Sequence, residues 1–154
     1  MSEKLHFSMQ TVFQLNNIEK VCFGKEAWSI QALIGEFNNE FSHFFAHEVD
    51  GKIVGYACVR IMYEEAQICN IAVLPEHRRQ GIATELLQAV ADFAKEKGCE
   101  RAELEVNVSN TPAIEMYRKC GYEEVGIRKN FYRKSRYPTR DAYTMVLQLV
   151  ANAE

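Results

Sequence analysis

The 154-residue sequence predicts a mixed α/β (α+β) fold. Three observations carry that expectation. An Asp50-Gly51 pair sits between two apolar, strand-like runs, the arrangement of a tight β-hairpin. Gly81–Lys97 carries one apolar stripe at helical spacing. Downstream of it, strand-like and helix-like segments alternate.

The elements follow in order. Leu5–Met9 reads as a short strand. In Thr11–Phe23, Val12, Leu15, Ile18 and Cys22 fall on one helical face. Ser29 is placed to cap a second helix ending near Phe37. Phe44–Val49 and Ile53–Met62 form the hairpin, and Ala66–Val73 adds a third strand that stops before Pro75. In the long helix, Ile82, Leu86, Val90 and Phe93 make the stripe, and Gly98 closes it. Arg101–Val106 alternates as a strand. Asn110 caps a helix through Cys120, with Pro112 in its first turn and Gly121 past its end. Tyr122–Tyr132 and Ala142–Val150 read as two closing strands. Neither an internal repeat nor a linker interrupts this order, so the whole of 1–154 is expected to be one domain.

Composition narrows the function. Apolar residues make up 47% and charged residues 25%, the balance of a soluble globular chain. A net charge of −3 argues against general nucleic-acid binding. The apolar runs are too short for a membrane span, and MSEKLHFSMQ lacks the pattern of a signal peptide. Five cysteines, an odd number without a CxxC pair, argue against a disulfide or zinc framework and for thiols in a reducing cytoplasm. His6, His43, His47 and His77 lack metal-ligand spacing, so no metal is expected.

The turn His77-Arg78-Arg79-Gln80-Gly81-Ile82-Ala83 joins a strand to the long helix. Such a turn presents unpaired N–H groups at the positive end of a helix dipole, where anions bind. Small residues at Gly81 and Ala83 would let a phosphate approach the backbone, and Arg78 and Arg79 would add charge. Taken alone, the turn fits a strand–helix connection with solvated arginines equally well. It is neither a Walker loop nor a GxGxxG fingerprint.

Asn70-Ile71-Ala72-Val73-Leu74-Pro75, followed by Arg78-Arg79-Gln80-Gly81-Ile82-Ala83, resembles the coenzyme-binding core of the GNAT N-acetyltransferases. That resemblance implies the GNAT fold: a mostly antiparallel central sheet, about four flanking helices, and strands splayed at an acetyl-CoA cleft. It implies that amides of Arg79, Gln80, Gly81, Ile82, Ala83 and Thr84 hold a pyrophosphate, with Arg78 in the same motif. It also implies that Ile71, Ala72 and Val73 line the pantetheine arm, with the Val73 N–H meeting the oxyanion.

Leu104-Glu105-Val106-Asn107-Val108-Ser109-Asn110 and Ala113-Ile114-Glu115-Met116-Tyr117 look like the ribosomal-protein-alanine N-acetyltransferases, the RimI type. The resemblance implies Glu105 as general base, Tyr117 as general acid, and Asn110 and Tyr117 at the coenzyme. It also implies a protein or peptide N-terminus as acceptor, with a ribosomal protein as the group's substrate; nucleic acid and membrane are not expected as partners, on the charge and run lengths given above. The residue types suit the task. An α-amine has an unperturbed pKa of about 8 against about 10.4 for lysine, roughly 3 kcal/mol less to deprotonate. One glutamate, directly or through water, is therefore a more adequate base for an N-terminus. Taken alone, Glu105 also fits a solvated strand residue and Tyr117 a core tyrosine. Two alternatives stay open: acetylation of lysine, a polyamine or another small amine, and a coenzyme-A-sensing or partner-binding module without turnover.

The acceptor side is less specific. Trp28-Ser29 matches the end of the group's F-x-P-W-S segment, with Ala27 in place of proline. Trp28 either lines an acceptor groove or anchors the following helix, and the anchor is favoured. Arg128-Lys129-Asn130-Phe131-Tyr132 and Asp141-Ala142-Tyr143-Thr144-Met145 resemble two further family segments, which makes Tyr132 and Asp141 candidate substrate-binding residues. Between them, Arg133, Lys134, Arg136 and Arg140 form a basic stretch, expected to be a solvated hairpin tip or else a rim that disfavours basic peptides.

Overall fold

The computed structural model describes residues 2–150. Strand β1 (Ser2–Leu5) precedes helices α1 (Met9–Phe23) and α2 (Ile30–Phe37). A meander follows: β2 (Ser42–Val49), β3 (Lys52–Met62) and β4 (Glu65–Val73). Helix α3 (Ile82–Glu96), β5 (Arg101–Asn107), α4 (Thr111–Lys119), β6 (Glu123–Arg128) and β7 (Ala142–Gln148) complete the chain. The seven strands form one sheet in the order β1-β2-β3-β4-β5-β7-β6. Every neighbouring pair is antiparallel except β4–β5. The mixed, mostly antiparallel sheet with four α-helices is the architecture the sequence predicts.

Local chemistry explains most boundaries. Asp50 and Gly51 both have positive φ (52° and 78°), as the two-residue hairpin turn requires. Side chains cap three helices: Ser8 accepts from Thr11 N, Ser29 from Ala32 N, and Asn110 from Ala113 N. The first strand corrects the sequence reading. It ends at Leu5 instead of running to Met9, because Ser8 caps α1 and Met9 is already helical. The last two strands are also shorter than expected. Past β6, Asn130 takes φ 54° and donates its N–H to the Asp141 carboxylate, which starts a turn. Past β7, Leu149 N turns to Glu100 O.

Both faces of the central strands are covered. In β3, Ala57 and Val59 face α3 with Leu86 and Val90, in one cluster with Leu104 of β5, whereas Tyr56 and Cys58 face α1 and α2 with Leu15, Ile18 and Leu33. That explains why Ile53–Val59 is one continuous buried run. Gly55 matters for a specific reason. A Cβ there would lie 3.2 Å from Ala72 O, from an Ile82 methyl and from a Val73 methyl. The start of α3 can thus settle directly onto β3 and β4.

Candidate active site

The site begins where two strands part. β4 and β5 pair in parallel only from Glu65↔Arg101 to Gln67↔Glu103. Beyond that row β4 stays paired with β3 to Val73, and β5 stays paired with β7 to Asn107. Ile71–Val73 and Glu105–Asn107 therefore flank a gap, and the backbone groups of β4 that face it have no partner strand.

The start of α3 lies beyond the end of β4. Of the four α-helices, α3 alone has no side-chain cap among the described residues. Its N-cap is Gly81, at φ 78°. The first-turn amides thus keep their positive potential for an outside anion. Arg79 also has positive φ, 63°, which turns the chain into the helix. Space is not what requires glycine at 81: a Cβ there would meet nothing within 4 Å, so the demand is conformational. Arg78, expected to add charge for phosphates, is exposed and also makes contacts of its own. Its Nε donates to Val73 O at 2.9 Å, a terminal nitrogen reaches Cys22 Sγ at 3.5 Å, and its backbone N–H is taken by Pro75 O. It braces the turn against β4.

Glu105 is the best-placed carboxylate. Its side chain is only 8% exposed. Gln67 Nε2 donates to Oε2 at 2.8 Å, and Arg128 Nε lies 3.7 Å from Oε1. Burial pushes the carboxyl above the usual glutamate range, Arg128 and Gln67 pull it back, and Glu103 adds to the rise. The outcome is a carboxylate of enhanced basicity.

Tyr117 is buried in the middle of α4 and packs edge-on against Tyr122 at 6.1 Å. Burial raises its phenol well above the ordinary value, with Tyr132, Tyr122 and Cys120 adding to the shift, so it is a neutral hydroxyl. The Tyr132 phenol is raised by burial too, then by the charges of Glu105 and Glu26. Among the charges acting on Tyr132 is that of Glu105, and Tyr132 in turn adds to the shift of Tyr117. Asn110 caps α4 with its carbonyl oxygen at 3.4 Å from Ala113 N.

The acceptor-side candidates separate. The backbone of Trp28 is fixed, its N–H donating to Glu19 at 2.8 Å and its carbonyl accepting from Asn16 at 3.0 Å, and its side chain packs partly buried against the α1 and α2 cluster. Asp141 holds a turn through Asn130 N. The basic stretch joins β6 to β7 with all four of its basic side chains exposed, as a solvated tip would be, but it is tethered to the body. Arg136 pairs with Glu26 at 2.9 Å and lies over Phe23 and Tyr137. Arg140 Nε donates to Tyr132 O at 2.7 Å, and Asn107 Nδ2 donates to Thr139 O at 2.8 Å. Residues 133–140 are thereby folded over the end of β5 beside the site. A separate open groove of about 680 Å³, lined by Phe13, Lys52, Leu74 and His77 among others, contains neither Glu105 nor Tyr117.

Gln67, Glu19 and Glu26 escaped sequence reasoning, and so did the contacts of Arg128 and Asn107, which were read only as parts of family-like segments. Each acts through a partner distant in the chain, and no local spacing marks any of them.

The family model for the acetyltransferase (GNAT) family matches residues 10–122. The chain belongs to this family. The GNAT match contains β4, the α3 start, Glu105 and Tyr117. A Bacillus subtilis (strain 168) protein, provisionally named a ribosomal protein bS18-alanine N-acetyltransferase, is 43% identical over 94 residues. That match spans 61% of this chain and 62% of that protein, under two thirds of the relative's length. The N-alpha-acetyltransferase of Sulfurisphaera tokodaii is 40% identical over 119 residues, 69% of each chain. The crystal structure of the ribosomal-protein-S18-alanine N-acetyltransferase from Escherichia coli superposes with TM-score 0.85 and 28% identity, covering 100% of this chain and 97% of that one.

Proposed function

We propose that this GNAT protein transfers an acetyl group from acetyl-CoA to the α-amine of a protein N-terminus, by direct attack with Glu105 as base and Tyr117 as acid. The observation that carries the reading is Glu105 itself, a buried carboxylate of raised pKa beside the gap between β4 and β5. The kinship to named N-terminal acetyltransferases supports the choice of acceptor.

The residues fit the coenzyme. The uncapped start of α3 suits its pyrophosphate, with amides of residues 79–84 as donors, and the edge at Ile71–Val73, which has no partner strand although Asn70 holds the Ile71 N–H and Arg78 and Cys22 donate to Val73 O, suits its pantetheine arm. We assign Asn110, at the start of α4, and Tyr117, within it, to the coenzyme as well. The bound coenzyme supplies the acetyl group as an activated thioester. Glu105 takes a proton from the incoming ammonium, directly or through water, so that the neutral amine attacks the acetyl carbon. The Val73 N–H meets the oxyanion, the new C–N bond forms, the C–S bond breaks, and the second proton of the attacking nitrogen leaves to the departing thiolate or to solvent. Tyr117 donates a hydrogen bond to the departing sulfur. A free phenol is already a weaker acid than a thiol by about 1.5 pKa units, and burial widens that difference. Tyr117 therefore stabilises the thiolate by hydrogen bonding in preference to releasing its proton.

Trp28, Tyr132 and Asp141 shape the acceptor side, Trp28 and Asp141 through the loops they hold. The docked 133–140 segment forms its rim, and a bacterial-type ribosomal protein N-terminus is the first acceptor to test. We place the protein in the cytoplasm, in keeping with its five free thiols. Among the described residues no helix is long and apolar enough to cross a membrane.

The test is direct. Incubated with acetyl-CoA, a peptide with a free N-terminus should gain an acetyl group by mass, and the same peptide with a blocked α-amine and an internal lysine should not. Equal acetylation of the two would overturn the N-terminal assignment.

A further inference from the structure

The face of the sheet toward α2 carries a cluster that acetyl transfer leaves unused. β3 and β4 pair Cys58 with Asn70 and Val59 with Ile68, which makes Cys69 the extra residue of a β-bulge. The bulge sets Cys69 and Asn70 together opposite Cys58. The Cys58 and Cys69 sulfurs and a Glu36 carboxylate oxygen all lie within 4.8 Å of one another. That carboxylate is already committed. It accepts from Arg60 Nε at 2.8 Å and from a terminal Arg60 nitrogen at 2.6 Å, and it also accepts from the Ser42 hydroxyl. A divalent cation would have to displace the guanidinium. What remains is a pair of adjacent thiols beside a fixed positive charge.

We propose that Cys58 and Cys69 are a peroxide-sensitive dithiol that closes reversibly to a disulfide beneath β4. Their roles differ by environment. Cys69 is partly exposed, whereas Cys58 is wholly buried. The neighbouring Cys58 thiol and the Arg60 charge hold the Cys69 thiol below its ordinary range, against burial and the Glu36 charge, whereas the Cys69 thiol and burial push Cys58 up. Cys69 is the attacking sulfur and Cys58 the resolving one. In the first step the Cys69 thiolate attacks one oxygen of hydrogen peroxide. An S–O bond forms, the O–O bond breaks, and sulfenic acid and hydroxide result. In the second, the Cys58 sulfur attacks the Cys69 sulfur. The S–S bond forms, the S–O bond breaks, and the Cys58 proton leaves with the oxygen as water. Peroxide is reduced by two electrons and the dithiol is oxidised by two. A low-molecular-weight thiol reverses the change by exchange.

Closure has a mechanical consequence. A disulfide needs its sulfurs about 2.05 Å apart, so the bulge must tighten toward β3. Gln67, two residues earlier on β4, is the hydrogen-bond donor to Glu105, and Asn70, the next residue, donates to Glu19. Oxidation should therefore slow acetyl transfer by disturbing the setting of Glu105, a consequence that rests on the function proposed above.

The experiment treats the intact protein with hydrogen peroxide, removes the excess, and maps peptides without reduction. The expected result is a Cys58–Cys69 cross-link and loss of two of the five thiols. Dithiothreitol should reverse both, along with a several-fold fall in acetylation followed by mass. Cys69→Ser should give no cross-link and a rate indifferent to peroxide relative to its own untreated rate. Cys58→Ala should let Cys69 proceed to the irreversible sulfinic acid. Absence of the cross-link at peroxide doses that oxidise other thiols overturns the proposal. So does a peroxide response that persists in Cys69→Ser. Cross-linking is read by mass alone, so failure of the acceptor assignment leaves this test decisive.

Discussion

Gln67 Nε2 donates to Glu105 Oε2 at 2.8 Å across the last point at which β4 and β5 are paired. The two strands part immediately beyond, so one hydrogen bond both marks the mouth of the gap and aims the carboxylate. The bond favours the charged form of Glu105 and opposes the effect of burial. Gln67→Leu should therefore raise the Glu105 pKa. Because transfer requires the carboxylate, the acidic limb of the kcat/KM profile should move to higher pH. An unmoved limb would show that Glu105 does not set it.

Glu105→Gln should lower turnover by about a hundredfold or more, within the usual range for a general base. Coenzyme affinity should stay nearly intact, because the amides of the α3 start are untouched. Tyr117→Phe should also slow turnover while the fold persists, since the ring packing against Tyr122 survives. Wild-type rates in both variants would sink the acid–base assignment.

Gly81→Val should act in two ways. Its φ of 78° disfavours a side chain, at a cost of roughly 1–2 kcal/mol that a denaturant melt would register. The free amides that follow would also be displaced, so coenzyme affinity measured by calorimetry should fall. Since the Cβ itself has room, a stability loss with unchanged affinity would place the anion elsewhere.

Glu19 is wholly buried and accepts from Trp28 N, Tyr56 Oη and Asn70 Nδ2. Glu19→Leu strands these donors and should destabilise the protein by about 2 kcal/mol or more in urea unfolding. Burial raises the Glu19 carboxyl pKa, so the protonated form is favoured in the folded protein. Its contribution to stability is thus present at low pH and declines as pH rises through the raised value. Glu19→Gln should flatten that dependence.

The Glu26–Arg136 pair should contribute little to global stability, about 0–1 kcal/mol, because Arg136 is partly exposed. Its local effect should be larger. Arg136→Ala should leave the melting temperature nearly unchanged and increase tryptic cleavage at Arg133 and Lys134. Unaltered cleavage would mean that Asn107 and Arg140 hold the segment without help.

Much of the fold was legible because its causes are local. The Asp50-Gly51 turn, the Ser29 and Asn110 caps and the Ile82–Leu86–Val90 stripe each depend on residues a few positions apart, and each stands as predicted. The first strand was misread because the apolar residues before Ser8 do not reveal that Ser8 caps a helix. Arg78 was read by charge alone, and its hydrogen bond to Val73 O could not be foreseen from the motif.

By itself the sequence determined the elements, their order, and the family motif from Asn70 to Ala83 with Glu105 and Tyr117 downstream. Only the tertiary structure decided where β4 leaves β5, that Gln67 meets Glu105 across 38 residues, and that Arg136 meets Glu26 across 110. The reason is physical. Turns and caps are set by a few neighbouring dihedrals and hydrogen bonds, whereas strand register is set by the packing of both sheet faces at once. A bulge such as that at Cys69 shifts the register by one residue and thereby chooses which side chains meet.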